Sequence, residues 1–231
     1  MNKNENNAKG DRREFLGSLA SGAAALGIAT LGTSIPLAAA AEEPQEQDLE
    51  GWFDKIRGKH KMVFDATRPH EIFPFAWPRV FLNTNRITGT PENECSVVVV
   101  LRHEAIAYAF EDQVWEKYKF GEMFKANDPA TKTTSLRNPF ANPKPEEYKV
   151  PGVGAIAIGI NELQASGVMF CVCNTAITKT SAVLGKAMNV DPAAVKKDML
   201  SGLLPGIQVV PSGVWALGRA QERGCGYCFT G

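Results

Sequence analysis

Gly167-Val168-Met169-Phe170-Cys171-Val172-Cys173-Asn174-Thr175 is the stretch whose reading decides the fold. It opens on a turn residue, runs through six apolar side chains and stops at a polar pair. That is the pattern of a buried central strand in a parallel sheet, delivering its last residue to the carboxyl end. The residue delivered is Cys173. Cys171, two positions back, is expected on the same face about 7 Å further down the pleat. Asn174 or Thr175 is expected to cap a following helix that keeps Ile177, Leu184 and Met188 on one side. A thiol in the first turn of a helix meets unpaired backbone N–H groups and the positive end of the helix dipole, and both favour the reactive thiolate. The plain alternative makes both cysteines small core residues. Its place at the strand-to-helix junction sets Cys173 apart.

Outward from that strand, the same alternation repeats. Residues 60–65 read as a first strand ending in Asp65, with Pro69 and Pro74 breaking the chain after it and a short helix over 78–86. Val97-Val98-Val99-Val100-Leu101 is a buried strand that ends at Arg102-His103-Glu104. Ile106, Phe110, Val114 and Tyr118 follow at helical spacing through about Lys125. Residues 152–166 read as a helix leading into the central strand. Asp191-Pro192 supplies a cap and a first-turn proline for a helix to about Leu203. Residues 207–210 form a short strand, Pro211-Ser212-Gly213 turns it into a helix over 214–223, and 226–229 is a last strand. Strands alternating with helices predict a three-layer α/β/α sandwich on a five-stranded, mostly parallel sheet. Gly152-x-Gly154 does not make a dinucleotide loop, because a proline-bearing loop precedes it and the third glycine lies five residues on.

Residues 127–150, rich in Asn, Pro, Lys and Thr, stand apart as an insertion: a lid, an oligomer contact or a disordered loop. Residues 1–41 are expected to be a leader. Asp11-Arg12-Arg13-Glu14-Phe15-Leu16 resembles a twin-arginine export signal, a weakly apolar run follows over 16–41, and cleavage is expected near Ala40 or Ala41. Retention as a membrane tether is the other reading of that run. Residues 42–60 then form a linker, and 61–231 the domain. Without the leader the chain carries 21 basic against 22 acidic residues and no basic block, which excludes a nucleic-acid footprint. Periplasmic placement makes five cysteines notable: an odd number leaves at least one thiol unpaired in an oxidising compartment.

Three runs in the second half carry a family likeness: Phe170-Cys171-Val172-Cys173-Asn174-Thr175, then Leu203-Leu204-Pro205-Gly206-Ile207-Gln208-Val209-Val210-Pro211-Ser212-Gly213-Val214, then Arg219-Ala220-Gln221-Glu222-Arg223-Gly224. Together they resemble the DsrE/DsrF-like sulfur-relay family. The likeness covers about residues 61–230 in element order and is motif-specific from about 163 onward. It implies a flavodoxin-like strand order of 2-1-3-4-5, a homo-oligomer of three or six copies, and Cys173 as the thiol that accepts sulfur as a persulfide; separately, no cofactor is expected. A sulfur-donor or acceptor protein is the implied partner, and contact with a membrane is expected only through an uncleaved leader. The chain departs from simple members in its leader, its 127–150 insertion, its second cysteine at Cys171 and its terminal Cys225-Gly226-Tyr227-Cys228.

With that strand order the switch point falls between the first and third strands. It gathers Asp65, Arg102, His103, Cys173, Asn174, Ser212 and Gly213. A persulfide or an oxyanion of sulfur would want Arg102, His103 and the helix start at Ser212-Gly213, and Asp65 could orient a histidine. The plain readings are a turn or cap for Asp65, a solvated charge for Arg102 and a helix-start surface residue for His103. Cys225-x-x-Cys228 is open between a disulfide, plain packing, a redox dithiol and half a metal site, and no full set of metal ligands is evident. Beside sulfur handling, two other functions stand: a non-catalytic binding or assembly module presenting the 127–150 loop, and a thiol oxidoreductase working through Cys225 and Cys228.

Overall fold

A computed structural model describes residues 49–231. The leader at 1–41 lies outside the described residues. A short helix α1 (Leu49–Phe53) leads into strand β1 (His60–Ala66), helix α2 (Phe73–Ile87) and strand β2 (Cys95–Leu101). A 3₁₀ turn (His103–Ala109) and the short helices α3 (Asp112–Tyr118) and α4 (Phe120–Met123) follow. The insertion ends in a small hairpin, β3 (Lys149–Val150) with β4 (Gly154–Ala155). Then come α5 (Ile160–Ala165), β5 (Met169–Cys173), α6 (Asn174–Met188), α7 (Pro192–Ser201), β6 (Ile207–Val210), α8 (Gly213–Glu222) and β7 (Gly226–Phe229).

The main sheet has five strands in the order β6-β5-β2-β1-β7, every neighbouring pair parallel. Helices cover both faces, so the α/β/α sandwich and its flavodoxin-like class are as expected. The neighbour relations differ in detail from 2-1-3-4-5. β5 pairs with β2 rather than β1, and β7 pairs with β1 on its other side. Counted along the chain, the strands run 4-3-2-1-5. Steps from β1 to β2, β5 and β6 all move one way, so right-handed crossovers place their helices on one face. The return from β6 to β7 moves the other way and puts α8 on the opposite face. The connections that leave the neighbouring strands β5 and β6 therefore go to opposite faces.

Two cores result. Phe64, Val97, Val99, Leu101, Phe170, Val172 and Ile207 pack with α2 and α5 to α7. Val63, Val98, Val100, Cys171 and Val210 pack with Phe53, Ile56, Ala216, Leu217 and Ala220. The unbroken valine run of β2 follows from burial on both faces.

Four local expectations are corrected. The second half of the supposed linker belongs to the domain: Phe53 is buried, with its ring edge-on to Trp215 at 5.5 Å, and Arg223 lies over it. Glu50 adds ion pairs to Arg219 and Arg223. Helix α2 starts at Phe73, earlier than the proline breaks suggested, because Pro74 sits in the first turn where its missing N–H is no loss. The helical spacing after β2 is carried by separate short turns, interrupted by extended Phe110, which bridges to Leu203, and by left-handed Lys119. Residues 152–166 hold a hairpin strand and only a six-residue helix, α5.

The insertion is packed rather than free. Phe140 and Asn138 are buried, and the Asn138 amide donates to the Tyr108 and Phe110 carbonyls at 2.9 and 2.8 Å. Arg137 pairs with Glu147 at 2.8 Å, and the Tyr148 hydroxyl donates to the Pro139 carbonyl. Among the described residues no helix is long and apolar enough to cross a membrane.

Candidate functional site

All five strands of the main sheet point their carboxyl ends at one edge, and the chemistry-bearing side chains collect there. Asp65, next to last in β1, is fully buried. Arg102, the first residue after β2, forks onto it: Nε donates to Oδ1 at 2.7 Å and the second guanidinium nitrogen to Oδ2 at 2.8 Å. Tyr227 of β7 donates its hydroxyl to Oδ2 at 2.8 Å. Three donors on a buried carboxylate satisfy most of its acceptor capacity, and the two-toothed arginine contact fixes the guanidinium plane. The Asp65 carboxylate hydrogen bond raises Arg102 above the usual arginine range, against the opposing effect of burial. Burial and the bond to Asp65 raise Tyr227, which stays a neutral donor.

Arg102 lies across the start of α8. A Cβ placed on Gly213 would come within 2.6 Å of the Arg102 Cβ, so only glycine lets the two segments cross there. Ser212 holds the cap position of α8, but its side chain makes no cap bond. Cys173 is 7% exposed and caps α6 itself: its Sγ accepts the Ala176 N–H at 3.3 Å. That corrects the expected cap at Asn174 or Thr175. Asn174 is half-buried in the first position of α6, and Thr175 donates instead to the Pro211 carbonyl. The Cys173 sulfur and the Arg102 guanidinium are close enough to interact electrostatically.

Asp65, Arg102, Gly213 and Cys173 are thus brought together. His103 is not part of that group. It is exposed, holds a left-handed backbone (φ 53°) and lines a separate cavity of about 200 Å³ with Glu104, Phe124, Ala176 and Lys179. Sequence reasoning missed Tyr227, because its partner follows from β7 lying beside β1 and no local pattern carries that. It also missed His70, whose Nδ1 lies 3.1 Å from the Thr230 carbonyl at the same edge.

The other thiols separate. Cys171 packs in the α8-side core and Cys173 in the opposite one, so they do not share a face: the chain leaves the pleat at Cys173 to start α6. Cys225 and Cys228 also lie in opposite cores, as an odd spacing along extended chain dictates. All five cysteines are free, and no disulfide joins 225 to 228. Among the described residues no three His, Cys, Asp or Glu side chains cluster as metal ligands. Burial pushes the Cys171 thiol up, and pushes Cys225 up to about 11. Alkylation of the folded protein near pH 8, about where an ordinary thiol begins to ionise, is therefore expected to spare Cys171 and Cys225 until the chain unfolds. Peptide mapping checks this, and rapid native labelling of Cys171 would contradict its burial.

No protein-family model matches this chain, and no curated protein matches it. Among solved structures it is similar to MTH1491, a protein of unknown function from Methanobacterium thermoautotrophicum. The two share 16% identity over 74% of this chain and 99% of that one, with a TM-score of 0.39.

Proposed function

We propose that the protein handles sulfane sulfur outside the cytoplasm, with Cys173 as the thiol that accepts it. One observation carries the reading: the Cys173 sulfur caps α6, receives a backbone N–H at 3.3 Å and lies within electrostatic reach of Arg102. Backbone N–H donors of a helix start and a guanidinium are the groups that bind anionic sulfur species. In the transfer, the Cys173 thiolate attacks the terminal sulfur of a donor persulfide. The donor's S–S bond breaks, a new S–S bond forms on Cys173, and the donor leaves as a thiolate with no net oxidation. Asp65 and Tyr227 hold the guanidinium in place and do not touch the sulfur. The resemblance to the sulfur-relay family and the twin-arginine-like leader support the same reading.

Mass spectrometry after incubation with polysulfide tests it. The expected product is an adduct of about 32 Da, one sulfur atom, on Cys173, removed by dithiothreitol and lost in Cys173→Ser. An adduct that persists in Cys173→Ser, or none on the unaltered chain, rejects the proposal.

A further inference from the structure

In open α/β sheets, ligands bind outside the carboxyl ends of the strands. Here the end of β1 lies at that edge, two strands away from β5 and Cys173. A cavity of about 220 Å³ opens beside it, lined by His70 and Glu71 from the loop after β1. Tyr108 forms part of its wall, and Lys125, Asp128 and Lys132 come from the chain entering the insertion.

The wall contains an unpartnered polar group. Tyr108 is 1% exposed, its ring held by Phe75, Trp115 and Phe140. Its hydroxyl makes no hydrogen bond among the described residues yet is not sealed from solvent, so it opens onto the cavity as an available donor. Burial raises its pKa and keeps it a neutral donor. Lys125 and Lys132 likewise make no ion pair among the described residues. Asp128 is already occupied by the Ala130 and Thr131 N–H groups and by Arg137. Glu71 is the remaining acid and is exposed. His70 is anchored: against a carbonyl its Nδ1 must donate, which leaves Nε2 an acceptor, so the ring shapes the wall and is not an anion donor.

We propose that this cavity binds a compact dianion through the Tyr108 hydroxyl, Lys125 and Lys132. Phosphate and a short dicarboxylate share that chemistry. The site does not depend on the sulfur reading, since Cys173 does not line it.

Calorimetric titration of the full chain at low salt, with inorganic phosphate and separately with succinate, tests the proposal. Saturable binding of one of them is expected, weakening as salt is raised, and the preferred anion identifies the source. Tyr108→Phe keeps the ring and removes one donor, so about tenfold weaker binding is expected from the loss of a hydrogen bond to a charged group. Lys125→Gln and Lys132→Gln, at exposed positions that leave the core alone, are each expected to weaken binding as well. Cys173→Ser is expected to bind as the unaltered chain does, which keeps this test apart from that of the sulfur-handling proposal. No saturable binding of either anion, or equal affinity in all three cavity variants, overturns the site.

Discussion

Arg102→Met is expected to lower the unfolding free energy by about 3–5 kcal/mol, the range seen when one member of a buried ion pair is removed. The physical cause is the residue left behind. Asp65 is fully buried, and two of the three donors on its carboxylate belong to Arg102. With methionine in place, only the Tyr227 hydroxyl remains on that carboxylate. The Arg102 side chain is itself 28% exposed, so water can reach part of the gap and the cost should fall at the lower end of the range. Tyr227→Phe is a milder probe of the same network, expected to cost about 1–3 kcal/mol for a hydrogen bond to a charged group. The double variant Asp65→Asn/Arg102→Met is expected to recover part of the loss, because the stranded charge is then gone. Urea unfolding reads all three as midpoint shifts at constant slope. If Arg102→Met stays within about 0.5 kcal/mol of the unaltered chain, the range of ordinary surface changes, the network does not hold this edge together.

Phe140→Ala is expected to cost about 3–5 kcal/mol, the toll of removing a fully buried aromatic ring. Phe140 lies inside the insertion, yet its ring is 4.3 Å from Phe75, 5.3 Å from Tyr108 and 5.2 Å from Tyr148. Its carbonyl accepts the Ile160 N–H at 2.7 Å, which anchors the insertion to the start of α5. Cavity formation at that position should loosen residues 127–150 together, and limited proteolysis should cut there before the sheet unfolds. A loss below about 1 kcal/mol would mean that the core closes without the insertion.

These two residues also divide what could be read early from what could not. Arg102 and Asp65 stood out because each ends an apolar strand, and carboxyl ends of parallel strands collect at one edge. Their direct contact was not legible: it needs β1 and β2 side by side in a register that sets Ala66 opposite Leu101. Phe140 sits in a polar, proline-bearing stretch with no hydrophobic period, so nothing local marks it as core. The spacing of Ile106, Phe110, Val114 and Tyr118 misled for a related reason. Apolar residues every three to four positions suit successive short turns as well as one helix, and only packing against Leu203 and the α7 side decides between them.

Local physical chemistry determined the strands of 207–210 and 226–229, the valine run of β2, the capped start of α7 at Asp191 and the junction that ends at Cys173. Each is settled by side chains within a few residues of one another. Strand neighbours, the separation of Cys225 from Cys228, the Tyr227 contact and the cavity beside His70 were decided only by the tertiary structure. Five comparably apolar strands can be ordered in several ways, and the choice rests on crossover handedness and on which helices cover which face. No single stretch of chain carries that energy.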